Sequence, residues 1–383
     1  MPTYGVLVVD DSVAIRRLLK KLIAGDPGFR VVGESAHGEE VLDAIEEHRP
    51  DIITLDLEMP HVDGIEVLHR VRKRYGRLPV LVCSGHAEKG ARKTLDALMA
   101  GATDFICKKP PPDTGLNTAD YLRRELLGKM REILSHSWTH GVYEESASKP
   151  ARERKTEPSA NHREGQEAVQ ADTQEQSADY RTATPGIVVI GASTGGPAAL
   201  GVVLEGLLSP QPLPILITQH MTKSFTGALA ESLSRYAPAA VKEARPGTPP
   251  QAGDILIAPG DYHLDLAVVD GEVVTNLTKA PLENSCRPAV DVMFRAAARY
   301  YGAQVTAVVL TGMGQDGTEG ARAVRAAGGK VLVQDHESST VWGMPRSVQE
   351  AGLAHEVLTL KSIGPTIRRR IARSAKQAAN APA

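Results

Sequence analysis

Ser193 lies in the stretch Gly191-Ala192-Ser193-Thr194-Gly195-Gly196-Pro197, directly after the apolar run Ile187 to Ile190 and before a helical pattern. Small residues around a serine permit a sharp strand-to-helix turn. The hydroxyl then stands exposed beside helix N-terminal N–H groups that can stabilise an oxyanion. Gly191-x-Ser193-x-Gly195 alone is a short pattern, and a serine there also serves as a helix N-cap. Two further strand ends add to it. His220 follows the run Ile215 to Thr218, and Asp316 sits in the loop Thr311-Gly312-Met313-Gly314-Gln315-Asp316-Gly317 after the run Val305 to Leu310. Serine as nucleophile, histidine as base and aspartate as orienter suffice for acyl transfer to water. The chain order Ser, His, Asp differs from that of α/β-hydrolases, so that fold is not implied. Dinucleotide binding competes for the same loop. It requires glycine where Ser193 stands and an acid at the next strand end, where the chain has Gln219-His220.

A second set of reactive residues occupies other strand ends: Asp10-Asp11, Asp56, Ser84 and Lys108. A lone aspartate at such a place is ordinarily a cap or loop residue. Three carboxylates converging on one sheet edge repel one another, and a hard divalent cation with oxygen ligands, Mg²⁺, relieves the repulsion. A carboxylate there can act as nucleophile toward a phosphoryl group, with metal and lysine stabilising its equatorial oxygens.

The elements that must position these groups are legible as alternations of apolar runs and helical patterns. Residues 1–135 carry five such runs: Val6 to Val9, Val31-Val32, Ile52 to Leu55, Val80 to Cys83 and Phe105 to Cys107. Continuous runs of this kind suit strands buried on both faces of a parallel sheet, and ligands bind at the carboxyl ends of such strands. Ser12 is placed to cap the first helix, which stops at Gly25. Residues 136–184 form the expected linker. From about 141 onward Glu, Gln, Ser, Ala, Arg and Lys dominate, too polar to offset ordering entropy, with a helical bridge as the other reading. Alternation resumes over 185–373, with further runs at Asp254 to Ala258 and Lys330 to Val333, and residues 374–383 read as a frayed tail. The expected fold is therefore α/β: two doubly wound parallel-sheet domains, a (βα)5 unit followed by a second α/β unit.

At 383 residues the chain is too long for one ordinary core. A net charge of −2 and the absence of a basic helix-turn-helix pattern argue against a DNA-binding regulator. Arg368-Arg369-Arg370 with Arg373 reads as a solvated helix face. Cys83, Cys107 and Cys286 fit neither a metal site nor a disulfide framework, which points to a reducing cytoplasm. No apolar run is long enough to span a membrane.

The N-terminal residues resemble response-regulator receiver domains over roughly residues 5–122. The matching pieces are Val9 to Ser12, Leu55 to Pro60 with Asp63-Gly64, Ser84, and Gly101 to Phe105 leading to Lys108. The resemblance implies that Asp56 accepts phosphate from a histidine kinase. It implies that Asp11 and Asp56 bind Mg²⁺, Asp10 assisting through water and Glu58 through its carbonyl. Ser84 is then the switch hydroxyl and Lys108 its partner. The family places proline straight after the lysine, whereas Lys108-Lys109-Pro110 has one residue more. Spacing from Ser84 and Asp104-Phe105 favours Lys108, and proximity to Pro110 favours Lys109.

The C-terminal residues resemble the catalytic domain of chemotaxis protein-glutamate methylesterases over about 186–370. The shared stretches are Ile190 to Pro197, Ile217 to Met221, Ile257 to Gly260, Arg287-Pro288 with Val290-Asp291, Leu310 to Gly317, and Gly343 to Pro345. That resemblance implies Ser193 as nucleophile, His220 as general base, Asp316 as orienter and the backbone N–H of Met313 as an oxyanion donor, with no cofactor for ester hydrolysis. The implied substrate is a glutamate γ-methyl ester on a methyl-accepting chemoreceptor, with deamidation of receptor glutamines as related acyl chemistry. The implied protein is a cytoplasmic monomer, peripheral to membrane receptors and not inserted, with no nucleic-acid partner. Where the family has Arg-His-Arg-Pro-Ser, this chain has Ser285-Cys286-Arg287-Pro288-Ala289, a weaker basic stretch. Joining the two halves implies that the first domain covers the esterase cleft until Asp56 is phosphorylated.

Overall fold

The computed structural model describes residues 3–85, 90–110, 115–136, 186–209 and 211–379, with side chains to residue 372. Apart from its first residue, the expected linker lies outside the described residues, as do residues 380–383 of the expected tail.

The N-terminal domain runs β1 (Tyr4–Val9), α1 (Val13–Ala24), β2 (Phe29–Ser35), α2 (Val41–His48), β3 (Ile52–Asp56), α3 (Gly64–Arg74), β4 (Val80–Ser84), α4 (Ala91–Met99), β5 (Asp104–Cys107) and α5 (Thr118–His136). The strands pair in parallel in the order β2-β1-β3-β4-β5. β3 and β4 are buried along their whole length, which explains their unbroken apolar runs. The Ser12 hydroxyl caps α1 by accepting the Ile15 N–H. Strand order reverses between β1 and β3, and in sheets of this kind ligands bind at the carboxyl ends beside such a reversal.

The C-terminal domain runs β6 (Ile187–Ala192), α6 (Gly196–Glu205), β7 (Ile215–Gln219), α7 (Lys223–Leu233), β8 (Val241–Glu243), β9 (Ile255–Ile257), β10 (His263–Val269), β11 (Glu272–Thr278), α8 (Val290–Tyr301), β12 (Val305–Val309), α9 (Thr318–Ala326), β13 (Lys330–Gln334), α10 (Met344–Glu350), β14 (Glu356–Leu358) and α11 (Leu360–Ala379). Seven strands form one parallel sheet, β14-β13-β12-β6-β7-β9-β8. β12, β6 and β7 are neighbours at its centre. The expected parallel architecture therefore holds for both main sheets.

Three features differ from expectation. β10 and β11 form a separate antiparallel hairpin. Its turn is Asp270-Gly271, both at positive φ, the two-residue turn that suits the twist of paired strands. The short strands β8 and β14 extend the sheet at its edges. α11 continues to Ala379, past residue 373. Its buried Ile363, Ile367 and Ile371 face the core; Arg369 is exposed, whereas Arg368 and Arg370 are half-buried and Arg370 pairs with Glu356.

The two domains touch. One apolar cluster contains both Leu95 and Leu98 of α4 and Leu200, Val203 and Leu229 of α6 and α7. Met99 sits so close to Gly201 that a Cβ there would lie 2.7 Å from its Cε. The Phe105 ring of β5 lies 4.5 Å from that of Phe225, which is fully buried.

Candidate functional site

Ser193, His220 and Asp316 follow β6, β7 and β12, and the sheet order makes those three strands adjacent. Parallel pairing points all three carboxyl ends the same way, so the residues meet at one edge. The turn after β6 is shaped by its surroundings. Gly195 caps α6 at φ +77°. Gly312 brings the loop after β12 against Ser193, where a Cβ would lie 2.7 Å from the serine Cβ. The Ser193 N–H donates to the Thr311 carbonyl at 3.0 Å. Gln219 Nε2 donates to the Ser193 carbonyl at 2.8 Å. Gln219, which argued against a nucleotide in the sequence, thus holds the serine turn in place.

His220 Nε2 lies 2.7 Å from Asp316 Oδ2. Asp316 is buried and accepts N–H bonds from Val290 at 2.7 Å, from Asp291 and Gly317 at 3.0 Å, and from Asn284 Nδ2 at 2.9 Å. Burial works against its charge, but His220 and these donors outweigh it and hold the carboxyl below the usual range. Burial also works against the imidazolium, yet Asp316, followed by Cys286, raises His220 to about 10. With Nε2 committed to Asp316, Nδ1 is the other nitrogen of the His220 ring. Cys286 Sγ stands 3.5 Å from it. The Ser193 hydroxyl and the Met313 N–H make no hydrogen bond among the described residues.

At the other site, ligand atoms of Asp10, Asp11 and Asp56 lie within 4.8 Å of one another. Asp10 and Asp56 are buried and Asp11 is exposed. Lys108 Nζ lies 2.7 Å from both Asp10 Oδ2 and Asp56 Oδ2, whereas Lys109 is exposed. The structure thus brings Lys108, and not Lys109, to the carboxylates. Burial raises the Asp10 carboxyl above its ordinary range despite Lys108. Burial lowers Lys108, but its bonds to the two carboxylates leave it raised. Ser84 ends β4, buried, and its carbonyl accepts the Lys108 N–H at 2.7 Å. Glu58 is exposed, and its N–H donates to Asp56 Oδ1 at 3.2 Å. Three clustered carboxylates, one of them raised by burial, form a donor set suited to a hard divalent cation.

The sequence did not reveal the link between the sites. Thr194, next to Ser193, donates its hydroxyl to Asp104 Oδ2 at 2.8 Å in a buried contact. Asp104 opens β5, and its Oδ1 pairs with Lys129 at 2.9 Å. Met221 and Met313 pack against a cluster shared by the two domains, in which Leu122 and Leu126 of the first meet Phe225 and Val341 of the second. Exposed pairs Arg92–Glu231 and Arg235–Asp96 rim the contact, and such pairs contribute about 0–1 kcal/mol each. A cavity of about 470 Å³ opens at this junction beside Arg72, Arg77, Gly195 and Thr340, and none of Ser193, His220 and Asp316 lines it.

Known proteins share this arrangement of domains. Residues 188–367 match the family model of CheB methylesterase, and residues 6–119 that of the response regulator receiver domain. A protein-glutamate methylesterase/protein-glutamine glutaminase of Nocardioides sp. is 40% identical over 375 residues, covering 97% of this chain and 97% of that one. One from Trichodesmium erythraeum is 39% identical over 371 residues, 97% of this chain and 100% of that one. The crystal structure of the Thermotoga maritima CheB methylesterase catalytic domain is 43% identical and covers 49% of this chain and 98% of its own, with a TM-score of 0.48.

Proposed function

This chain belongs to the CheB methylesterase family, with a response regulator receiver domain ahead of the methylesterase domain, and from that membership we propose that it is a phosphorylation-activated protein-glutamate methylesterase. Its substrate is a glutamate γ-methyl ester on the cytoplasmic helices of a methyl-accepting chemoreceptor. Receptor glutamines are a second substrate, with ammonia leaving in place of methanol. Among the described residues no helix is long and apolar enough to cross a membrane.

The observation that carries the reading is the convergence of Ser193, His220 and Asp316 on adjacent strand ends, with His220 bonded to Asp316. Ser193 Oγ attacks the ester carbonyl as His220 Nδ1 takes its proton. Asp316 holds the ring and stabilises the imidazolium. The Met313 N–H, which has no partner among the described residues, would donate to the oxyanion of the tetrahedral intermediate. The imidazolium then protonates the departing methoxide, and a water activated by the same nitrogen hydrolyses the acyl-enzyme. Methanol release from a methylated receptor, with and without a phosphodonor, tests this in wild type, Ser193→Ala and Asp56→Asn.

A base must be neutral to act, and His220 is held above the ordinary histidine value of ~6.5. The acid limb of the kcat/KM profile is therefore expected above pH ~6.5, activity rising as His220 loses its proton. A limb at or below that value contradicts His220 as a base coupled to an ionised Asp316.

In the receiver, Asp56 is the phospho-acceptor for a histidine kinase. Asp11 and Asp56 would hold Mg²⁺, Asp10 through water and Glu58 through its carbonyl, and the ion would neutralise charge on the phosphoryl oxygens. Ser84 and Lys108 then read the phosphate. Lys108→Ala is expected to reduce phosphodonor-stimulated activation at least about tenfold, since it removes a cation bonded to two buried carboxylates. Lys109→Ala, at an exposed position, should leave activation at the wild-type level. The reverse result would reassign the switch lysine.

A further inference from the structure

Two buried carboxylates stand behind His220 where the proposed reaction uses one. Asp291, the second residue of α8, is as buried as Asp316, each 2% exposed, and acyl transfer makes no demand on it. The side-chain amide of Asn284 joins them. Its Nδ2 donates to Asp291 Oδ2 at 2.9 Å and to Asp316 Oδ1 at 2.9 Å. The orientation of this amide follows from chemistry, because its carbonyl oxygen turned toward two carboxylates would be repelled. Asn284 sits at φ +50° and Ser285 at φ +62°. Asparagine enters this left-handed region more readily than most residues. The loop before α8 thus takes an uncommon conformation where it delivers the amide. Asp291 is pinned from its other side, its Oδ1 accepting the Gly320 N–H of α9 at 2.6 Å.

We propose that Asn284 and Asp291 are positioning residues for the triad, the Asn284 amide bridging both carboxylates so that Asp316 stays charged and aimed at His220. This rests on the Ser193-His220-Asp316 reading above. Two like charges in a buried site cannot both ionise cheaply, and one is driven to take a proton. The bridge supplies one N–H to each anion, and the remaining donors are shared unequally. Asp316 receives three backbone N–H bonds and His220, whereas Asp291 receives one backbone N–H. In keeping with this, burial, and after it the Asp316 charge, raises Asp291 to about 6, while Asp316 stays below its ordinary value. The groups facing the pair are His220 after β7, and Arg295 on α8 with its bidentate partner Glu283.

The test is the pH profile of kcat/KM for the full chain with phosphodonor, alongside kcat and KM. Asn284→Ala removes a donor from each anion, so the cluster takes up its proton at higher pH. The acid limb should move up by about half a pH unit or more, with kcat falling roughly tenfold and KM nearly unchanged. Asp291→Asn removes a negative charge near His220 and keeps the side-chain shape, so its limb should move down. The double variant should return toward the wild-type limb, because an uncharged neighbour no longer needs the bridge. A packing role alone would change melting temperature and leave the limb in place. If Asn284→Ala does not fold, Asp291→Asn decides alone, and an unmoved limb there overturns the proposal. Asp316→Asn separates this from the underlying reading. Full activity in that variant would remove the triad itself, whereas lost activity with unmoved limbs in the other variants would remove only the bridge.

Discussion

Ser193→Ala is expected to lower methanol release from methylated receptor by about 10⁴-fold or more while the protein stays folded. The size follows from the proposed chemistry, in which the Ser193 oxygen forms the acyl-enzyme. The folded state should tolerate the change because the Ser193 hydroxyl makes no hydrogen bond among the described residues. What holds the turn is backbone and glutamine: Ser193 N–H to Thr311, and Gln219 to the Ser193 carbonyl. His220→Gln should cost a similar factor, and the double variant little more, because residues that act as a unit are not additive. Circular dichroism and thermal melting check the fold, and methanol release checks the loss. A Ser193→Ala protein that still released methanol at a tenth of the wild-type rate would overturn the nucleophile assignment. A protein whose second domain only binds would have no such activity to lose.

Asp104→Ala is expected to raise the activity of the unphosphorylated chain by roughly tenfold and to shrink its response to phosphodonor. Asp104 of the receiver accepts the hydroxyl of Thr194, the residue beside the proposed nucleophile Ser193. A buried hydrogen bond to a charged group contributes about 1.5–3 kcal/mol, and 1.4 kcal/mol is a factor of ten in a closed-to-open equilibrium. Asp104 begins β5, the strand next to β4, and β4 ends at the proposed switch residue Ser84. A hydroxyl drawn toward a phosphate on Asp56 therefore acts on the strand pair that carries Phe105 against Phe225. Asp56→Asn should abolish the phosphodonor response and leave basal activity low. Asp56→Asn combined with Asp104→Ala should be high and unresponsive. Basal activity in Asp104→Ala equal to wild type would show that the Thr194 contact does not hold the closed state.

Much of this was legible before any coordinates because parallel α/β domains write their sites locally. Each reactive residue follows an apolar run, and the runs announce buried strands. Asp56 at the end of β3, Ser193 after β6 and Asp316 after β12 stood out in combination with their partners at other strand ends, where each alone reads as a cap or loop residue. The hairpin β10–β11 carried a signal of its own, Asp270-Gly271 between two alternating stretches, that long apolar runs elsewhere overshadowed.

By itself the amino-acid sequence determined the two α/β domains, the residue types at their strand ends and the chemistry those types can perform. Tertiary structure alone decided which of them meet. Sheet order seats β12, β6 and β7 side by side, so His220 reaches Asp316 across 96 positions of chain. Tertiary structure placed the Lys108 ammonium against Asp10 and Asp56, where spacing alone left Lys108 and Lys109 both open. Asn284 gave no sign of its bridge, because a bridging amide is defined by the two carboxylates it faces and not by its neighbours in sequence. The contact from Asp104 to Thr194 was equally hidden. Docking between domains depends on the shape of two finished surfaces, and no local pattern of residues encodes that.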